Sequence, residues 1–161
     1  MIELDIEERP KEDIFKFCIK DNGCGMDSEF LKNVIDPFTT KRTTRRVGLG
    51  IPLLKLAAEN TGGGIKITSE PGVGTSIEAT FGYSHIDREP LGDISGTIHQ
   101  LITSYEGTDF VYTHKVGKKE FSLDTRELKR ILDGVSFTVP EVLLWLSEYI
   151  KEGEDELCAS E

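Results

Sequence analysis

Hydrophobic and polar positions alternate along the first twenty residues. Ile2, Leu4 and Ile6 interleave with Glu3, Asp5 and Glu7, and Phe15, Phe17 and Ile19 repeat the period of two beyond a polar turn at Arg9-Pro10-Lys11. The pattern predicts two half-buried strands, together a hairpin over residues 1–20. The second strand runs into Asp21-Asn22-Gly23-Cys24-Gly25-Met26, after which Asp27 or Ser28 can cap a short helix with Phe30, Leu31, Val34 and Ile35 on its apolar face. Pro37 ends it. Leu53, Leu54, Leu56, Ala57 and Ala58 predict a helix over 51–60, with Pro52 tolerated in its first turn and Gly62-Gly63-Gly64 as its stop. Two strands follow, 65–69 and 75–81, around the turn Glu70-Pro71-Gly72-Val73-Gly74.

After Tyr83 the pattern changes. Leu91, Ile94, Ile98, Leu101 and Ile102 have helical spacing, 110–116 and 120–124 read as a hairpin around Gly117-Lys118, and 125–132 and 140–151 read as two helices. The acidic tail GEDELCASE is expected to fray, and His99 and His114 carry no partner signal. The order β-β-α-loop-α-β-β predicts an α+β fold, a two-layer sandwich with a mostly antiparallel sheet, over 1–83. A small α+β appendage of helix, hairpin and two helices is expected over 84–161.

Composition narrows the classes. The 161 residues carry 29 acidic against 19 basic side chains, a formal charge of -10. That balance argues against general nucleic-acid binding, which needs a basic footprint. No apolar run approaches the roughly 20 residues that span a bilayer, and the N-terminus lacks the layout of a signal peptide, so a cytoplasmic, non-membrane protein is expected. Cys18, Cys24 and Cys158 have neither disulfide-framework nor metal-site spacing and are read as reduced thiols.

Three local features carry candidate chemistry. Asp21 at a strand end, followed by Gly23 and Gly25, sets a carboxylate acceptor beside a backbone that a ligand can approach closely; an exocyclic amine, with its N–H donors, suits it. Gly48-Leu49-Gly50 opens a helix, where free N–H groups and the helix dipole favour an anion. The segment before it holds Lys41, Arg42, Arg45 and Arg46, a local positive patch suited to polyphosphate in an otherwise acidic chain. Gly74-Thr75 adds a hydroxyl at the start of a strand.

The order DNGCGM, DPFTTKR, VGLGIPLLK and GGGIKITSEPGVGTSIEATF resembles the ATP-binding domain of histidine kinases, within the Bergerat-fold superfamily shared with Hsp90, DNA gyrase B and MutL. The resemblance covers about residues 13–82. It implies ATP and Mg2+ as cofactors. It also implies ATP-binding roles for Asp21, Asn22, Gly23, Gly25, Met26, Phe38, Lys41, Arg42, Gly48, Leu49, Gly50 and Thr75. Asp21 would bond the adenine amino group with Thr75 nearby, Phe38 would pack at the base of a lid over about 39–47, and Lys41, Arg42, Gly48 and Gly50 would face phosphates. The superfamily carries an upstream helix whose Glu and Asn activate the reaction and hold magnesium; the twenty residues before Asp21 read instead as strands, so no metal ligand is identified. A sheet lacking those elements would expose an edge or an apolar face and favour association, a homodimer included.

Ser84-His85-Ile86-Asp87-Arg88-Glu89-Pro90-Leu91 resembles the phosphoacceptor box of sensor kinases, which makes His85 a candidate phosphoacceptor. Ile86 replaces the acidic residue of that box, and the box follows the ATP-binding domain rather than preceding it. The chain as a whole also looks like the small stand-alone ATP-binding proteins encoded beside iron hydrogenases. Phosphotransfer to a protein partner or ATP hydrolysis in signalling is the function so implied. The alternative is a non-catalytic nucleotide sensor that docks a protein partner through its C-terminal appendage.

Overall fold

A computed structural model describes residues 1–34 and 49–159. Among them are six strands and five α-helices, divided between two compact units, one of residues 8–89 and one of residues 1–7 with 90–161. The division falls inside the first strand, β1 (Ile2–Arg9).

The unit of residues 8–89 is built on β2 (Ile14–Asp21), β3 (Gly64–Glu70) and β4 (Gly74–Gly82), with β4 central and antiparallel to both neighbours. Pairing stacks the odd-numbered positions into cross-strand rows: Phe15 with Phe81, Phe17 with Ala79 and Ile65, Ile19 with Ile77 and Ile67. Successive side chains of a strand point to opposite faces, so these rows make one continuous apolar face. The even positions carry the polar face, where Lys16 and Glu78 form an ion pair at 2.7 Å. The fourth odd row is Asp21, Thr75 and Ser69, so the apolar face ends in three oxygen-bearing side chains. Sequence alternation alone sets that transition.

Helix α1 (Ser28–Asn33) packs on β3 and α2 (Gly50–Asn60) on β3 and β4. Asp27 caps α1, its carboxylate accepting from Phe30 N at 2.7 Å. Ala58 of α2 and Ala79 of β4 are both without exposure, while Leu53 and Leu56 of α2 stay exposed. The end of α2 is fixed by Gly63, because a side chain there would run into the backbone of Thr80. Asp13, in the left-handed region at φ 57°, joins the first two strands and holds the end of β4: its carbonyl accepts from Tyr83 N at 3.0 Å and its carboxylate from Ser84 N at 2.7 Å. The hydrogen bond from the Ser84 backbone, and after it one from the Ser84 side chain, hold the Asp13 carboxyl below its ordinary value.

In the other unit, β5 (Phe110–Val116) and β6 (Lys119–Asp124) form the antiparallel hairpin that the sequence predicts, and β1 lies next to β5, with Ile2 N donating to Asp109 O at 2.8 Å. Helix α3 (Ile94–Ser104) packs on α5 (Pro140–Cys158), α5 on both strands and α4 (Thr125–Ile131) on β5. Ile98, Ile102, Tyr112, Leu123, Phe137, Leu146 and Ile150 fill the core. Thr125, without exposure, caps no helix itself. Its hydroxyl bridges the N–H and C=O of Phe110 at 2.8 and 3.2 Å and locks the start of α4 to β5.

Helix α5 runs seven residues past the expected Lys151, and the tail read as frayed is helical to Cys158. The reason is a buried polar clasp. Glu154 is 6% exposed; Tyr112 OH donates to its Oε1 at 2.8 Å, and His114 Nδ1 lies 2.7 Å from its Oε2. A buried carboxylate is tolerated only with such partners. Gly153 beside it lets the helix approach Phe121 so closely that a Cβ would strike the ring. His114, expected to lack a partner, is therefore a core residue, and His99 is bonded as well, Nε2 to Leu143 O at 3.1 Å.

Candidate nucleotide site

The end of the apolar face in the 8–89 unit opens into a cavity of about 380 Å3, lined by Lys20, Asp21, Thr68, Ser69, Glu70, Val73, Gly74, Thr75 and Ser76. Two of the predicted site residues, Asp21 and Thr75, line it. Asp21 and Thr75 are direct cross-strand partners, and Gly23 folds back so that its N–H donates to Asp21 Oδ1 at 2.8 Å. Among the described residues Asp21 makes no other side-chain bond, which leaves its second carboxylate oxygen available to a donor.

Ser69 ties the rim together. Its hydroxyl donates to Gly74 O at 2.9 Å, accepts from Met26 N at 2.8 Å and lies 2.9 Å from Thr75 Oγ1. A hydroxyl has one hydrogen, so with the Ser69 hydrogen on Gly74 O, Thr75 is the donor of that last contact. Thr75 then presents lone pairs to the cavity, and Asp21 and Thr75 together form a pair of acceptors. The sequence reading did not single out Ser69. Its signal lies in the register of β3 and β4, which sets Ser69 opposite Thr75 across their turn.

The glycines of this rim are set by contact as well as conformation. At Gly25 (φ 65°) a Cβ would collide with the Glu70 carbonyl, and at Gly74 (φ 136°) with the Asp21 carbonyl. Gly72 N donates to Cys24 O at 2.8 Å, which joins the β3–β4 turn to the segment after Asp21. Asn22 and Gly23 are exposed, Gly25 and Met26 half-buried. Leu49 and Gly50 stand exposed at the start of α2. Phe38, Lys41, Arg42, Arg45, Arg46 and Gly48 lie outside the described residues, as does the expected lid.

His85 sits in the turn after β4 rather than on a helix, with Asp87 N donating to its Nδ1 at 3.2 Å. That bond makes Nδ1 an acceptor and places the ring proton on Nε2, so the 3.9 Å approach of the Asp87 carboxylate to the same nitrogen is not a charged pair in this arrangement. Arg88 of the same box holds the chain in place: its guanidinium lies 5.3 Å from the Phe15 ring and 4.9 Å from the Tyr83 ring, and Nε donates to Tyr83 O at 2.7 Å.

The rim, with its two acceptors, suits a ligand group that brings N–H donors, such as an exocyclic amine. It does not fit a divalent cation. No group of three His, Cys, Asp or Glu side chains among the described residues could hold a metal ion, and no helix among them is long and apolar enough to cross a membrane.

Residues 1–85 match the histidine kinase-, DNA gyrase B- and HSP90-like ATPase family, and the chain belongs to that family. The similar proteins include sensor kinases. Over 78 residues the chain is 32% identical to a probable C4-dicarboxylate sensor kinase of Bacillus subtilis, covering 48% of this chain and 15% of that one. Over 67 residues it is 36% identical to the sensor histidine kinase YxdK of the same organism, covering 39% and 21%. Over 76 residues it is 33% identical to the sensor kinase CckA of Brucella abortus, covering 47% and 8%. The chain thus spans a small part of the length of each. It carries an ATP-binding module of the histidine-kinase type.

Proposed function

We propose that this module binds ATP at the Asp21–Thr75 rim and serves phosphotransfer or ATP hydrolysis in intracellular signalling. The observation that carries the reading is the acceptor pair at the end of the apolar face, with Gly23, Gly25 and Gly74 giving a flat base access to it. An adenine ring would lie against the apolar side chains while its amino group donates to Asp21. Lys41, Arg42 and the N–H groups of Gly48, Leu49 and Gly50 are proposed for the phosphates, whose charge they would offset. Phosphoryl transfer rests on positioning and charge neutralisation, so these contacts would orient the terminal phosphate toward its acceptor. The similarity to sensor kinases supports a protein phosphoacceptor.

Calorimetric titration of Mg-ATP into the chain, beside Asp21→Asn, tests this. Asn keeps an oxygen for the Gly23 N–H but loses the charged acceptor. Loss of a hydrogen bond to a charged group predicts binding weaker by about tenfold or more. Equal affinity of parent and variant, with both folded by circular dichroism, would refute the placement of the base. Acid-labile label from ATP that disappears in His85→Ala would assign the phosphoacceptor; label that persists would place it elsewhere.

A further inference from the structure

The outer face of α5 carries a feature that nucleotide binding does not use. The rings of Trp145 and Tyr149 stack at 5.5 Å with 12° between their planes, and the two residues remain 39% and 37% exposed. Tyr149 is braced from below by the edge of Phe121 at 5.7 Å, and Phe121 by Tyr112 at 6.2 Å, so the stack stands on the core of its unit. Exposed Glu141, Glu148, Glu152 and Glu156 recur at spacings of seven, four and four. By the 3.6-residue period they fall on the same stripe of the helix as Trp145 and Tyr149. Lys151, the one cation of α5, falls outside that stripe.

We propose that this acidic, aromatic stripe is a docking surface for an arginine-bearing segment of a protein partner. A guanidinium is planar and weakly hydrated, stacks on an aromatic face and directs its N–H groups outward to carboxylates; an ammonium does the first poorly. The stripe offers both halves of that recognition. Its charge sets the occupant: a nucleic acid and an anionic lipid surface would each bring negative charge to negative charge, and a second copy of this chain is at -10 overall. None of these residues belongs to the 8–89 unit, so the inference stands or falls apart from the nucleotide reading.

Trp145 is the single tryptophan of the chain, so its fluorescence reports on the stack alone. The experiment titrates the full chain with blocked tetra-arginine and, separately, blocked tetra-lysine, following Trp145 emission at low salt. Saturable change is expected, tighter for the arginine peptide. The double variant Glu148→Gln/Glu152→Gln should bind it about fivefold more weakly, the loss expected for two partly exposed charges. Glu89→Gln/Glu127→Gln, which removes the same charge elsewhere, should bind as the parent does. No saturable change, equal affinity for the two peptides, or equal weakening in both double variants would each overturn the proposal. The last would mark a general attraction to an acidic protein.

Discussion

Gly74 shows how a single missing side chain shapes the candidate site. Its φ of 136° lies where only glycine is comfortable, and the space a Cβ would need is already held by the Asp21 carbonyl. The consequence is a close approach of the start of β4 to the end of β2, which sets Thr75 beside Asp21. Gly72, two residues earlier, is a useful contrast: its φ is 76°, yet nothing stands where its Cβ would go. Gly74→Ala should therefore lose about 2 kcal/mol or more of unfolding free energy, from strain and backbone collision together, and Gly72→Ala about 1 kcal/mol from strain alone. Chemical denaturation of the two variants side by side measures the difference; equal losses would mean that the close approach contributes nothing. At this scale the sequence is legible where chemistry is local. Asp21, Gly23 and Gly25 are visible as a short motif, whereas Ser69 becomes visible only once β3 and β4 are placed in register.

The elements divide in the same way. Strands β1 and β2 are legible from alternation, because each half-buried strand writes its own period of two. Strands β3 and β4 and the hairpin β5–β6 are legible as runs on either side of glycine-bearing turns. Helix α5 is not, past Lys151: GEDELC is a polar string whose burial depends on Tyr112 and His114, forty residues upstream. No window on the helix contains that information. The clasp makes a sharp expectation. Glu154→Ala removes the acceptor of a buried hydroxyl and a buried imidazole, and should cost about 3 kcal/mol, the scale for breaking a buried polar pair. Exposed Glu152→Ala should stay within about 0.5 kcal/mol of the parent. Thermal denaturation followed by near-ultraviolet circular dichroism compares them, and similar midpoints for the two variants would show that the clasp is not holding the helix.

Across the whole molecule, carboxylates in both units are held ionised by their partners. The Lys16 hydrogen bond keeps the Glu78 carboxyl below its ordinary 4.5. Lys129, donating at 2.7 Å, keeps Asp109 below 3.8, and the Arg126 guanidinium does the same for Asp124. A carboxyl whose folded-state value is depressed stabilises the fold at pH above its unfolded value, and that stability is lost as pH falls through the folded-state value. The share of stability that these three carboxyls supply should thus be constant near neutrality and decline once pH drops past the ordinary values of 3.8 to 4.5. Asp124→Asn isolates one contribution, since Asn caps a helix as well as Asp while the charge and the Oδ2 hydrogen bonds from the Arg126 guanidinium are lost. The variant should unfold more readily than the parent at neutral pH, and the gap should be smaller at an acid pH below 3.8. Urea titrations at the two pH values decide it; a gap that persists in acid would assign the effect to packing instead.

The clasp of Tyr112, His114 and Glu154 also has a meaning in descent. Three positions, two on a strand and one on a helix, are tolerable together and costly in any incomplete combination, so they form a single heritable unit. Among relatives that keep this part of the fold, an apolar residue at the place of Glu154 would be found with the phenol and imidazole replaced too. A lineage crossing from one state to the other would pass through a destabilised intermediate or change all three nearly at once.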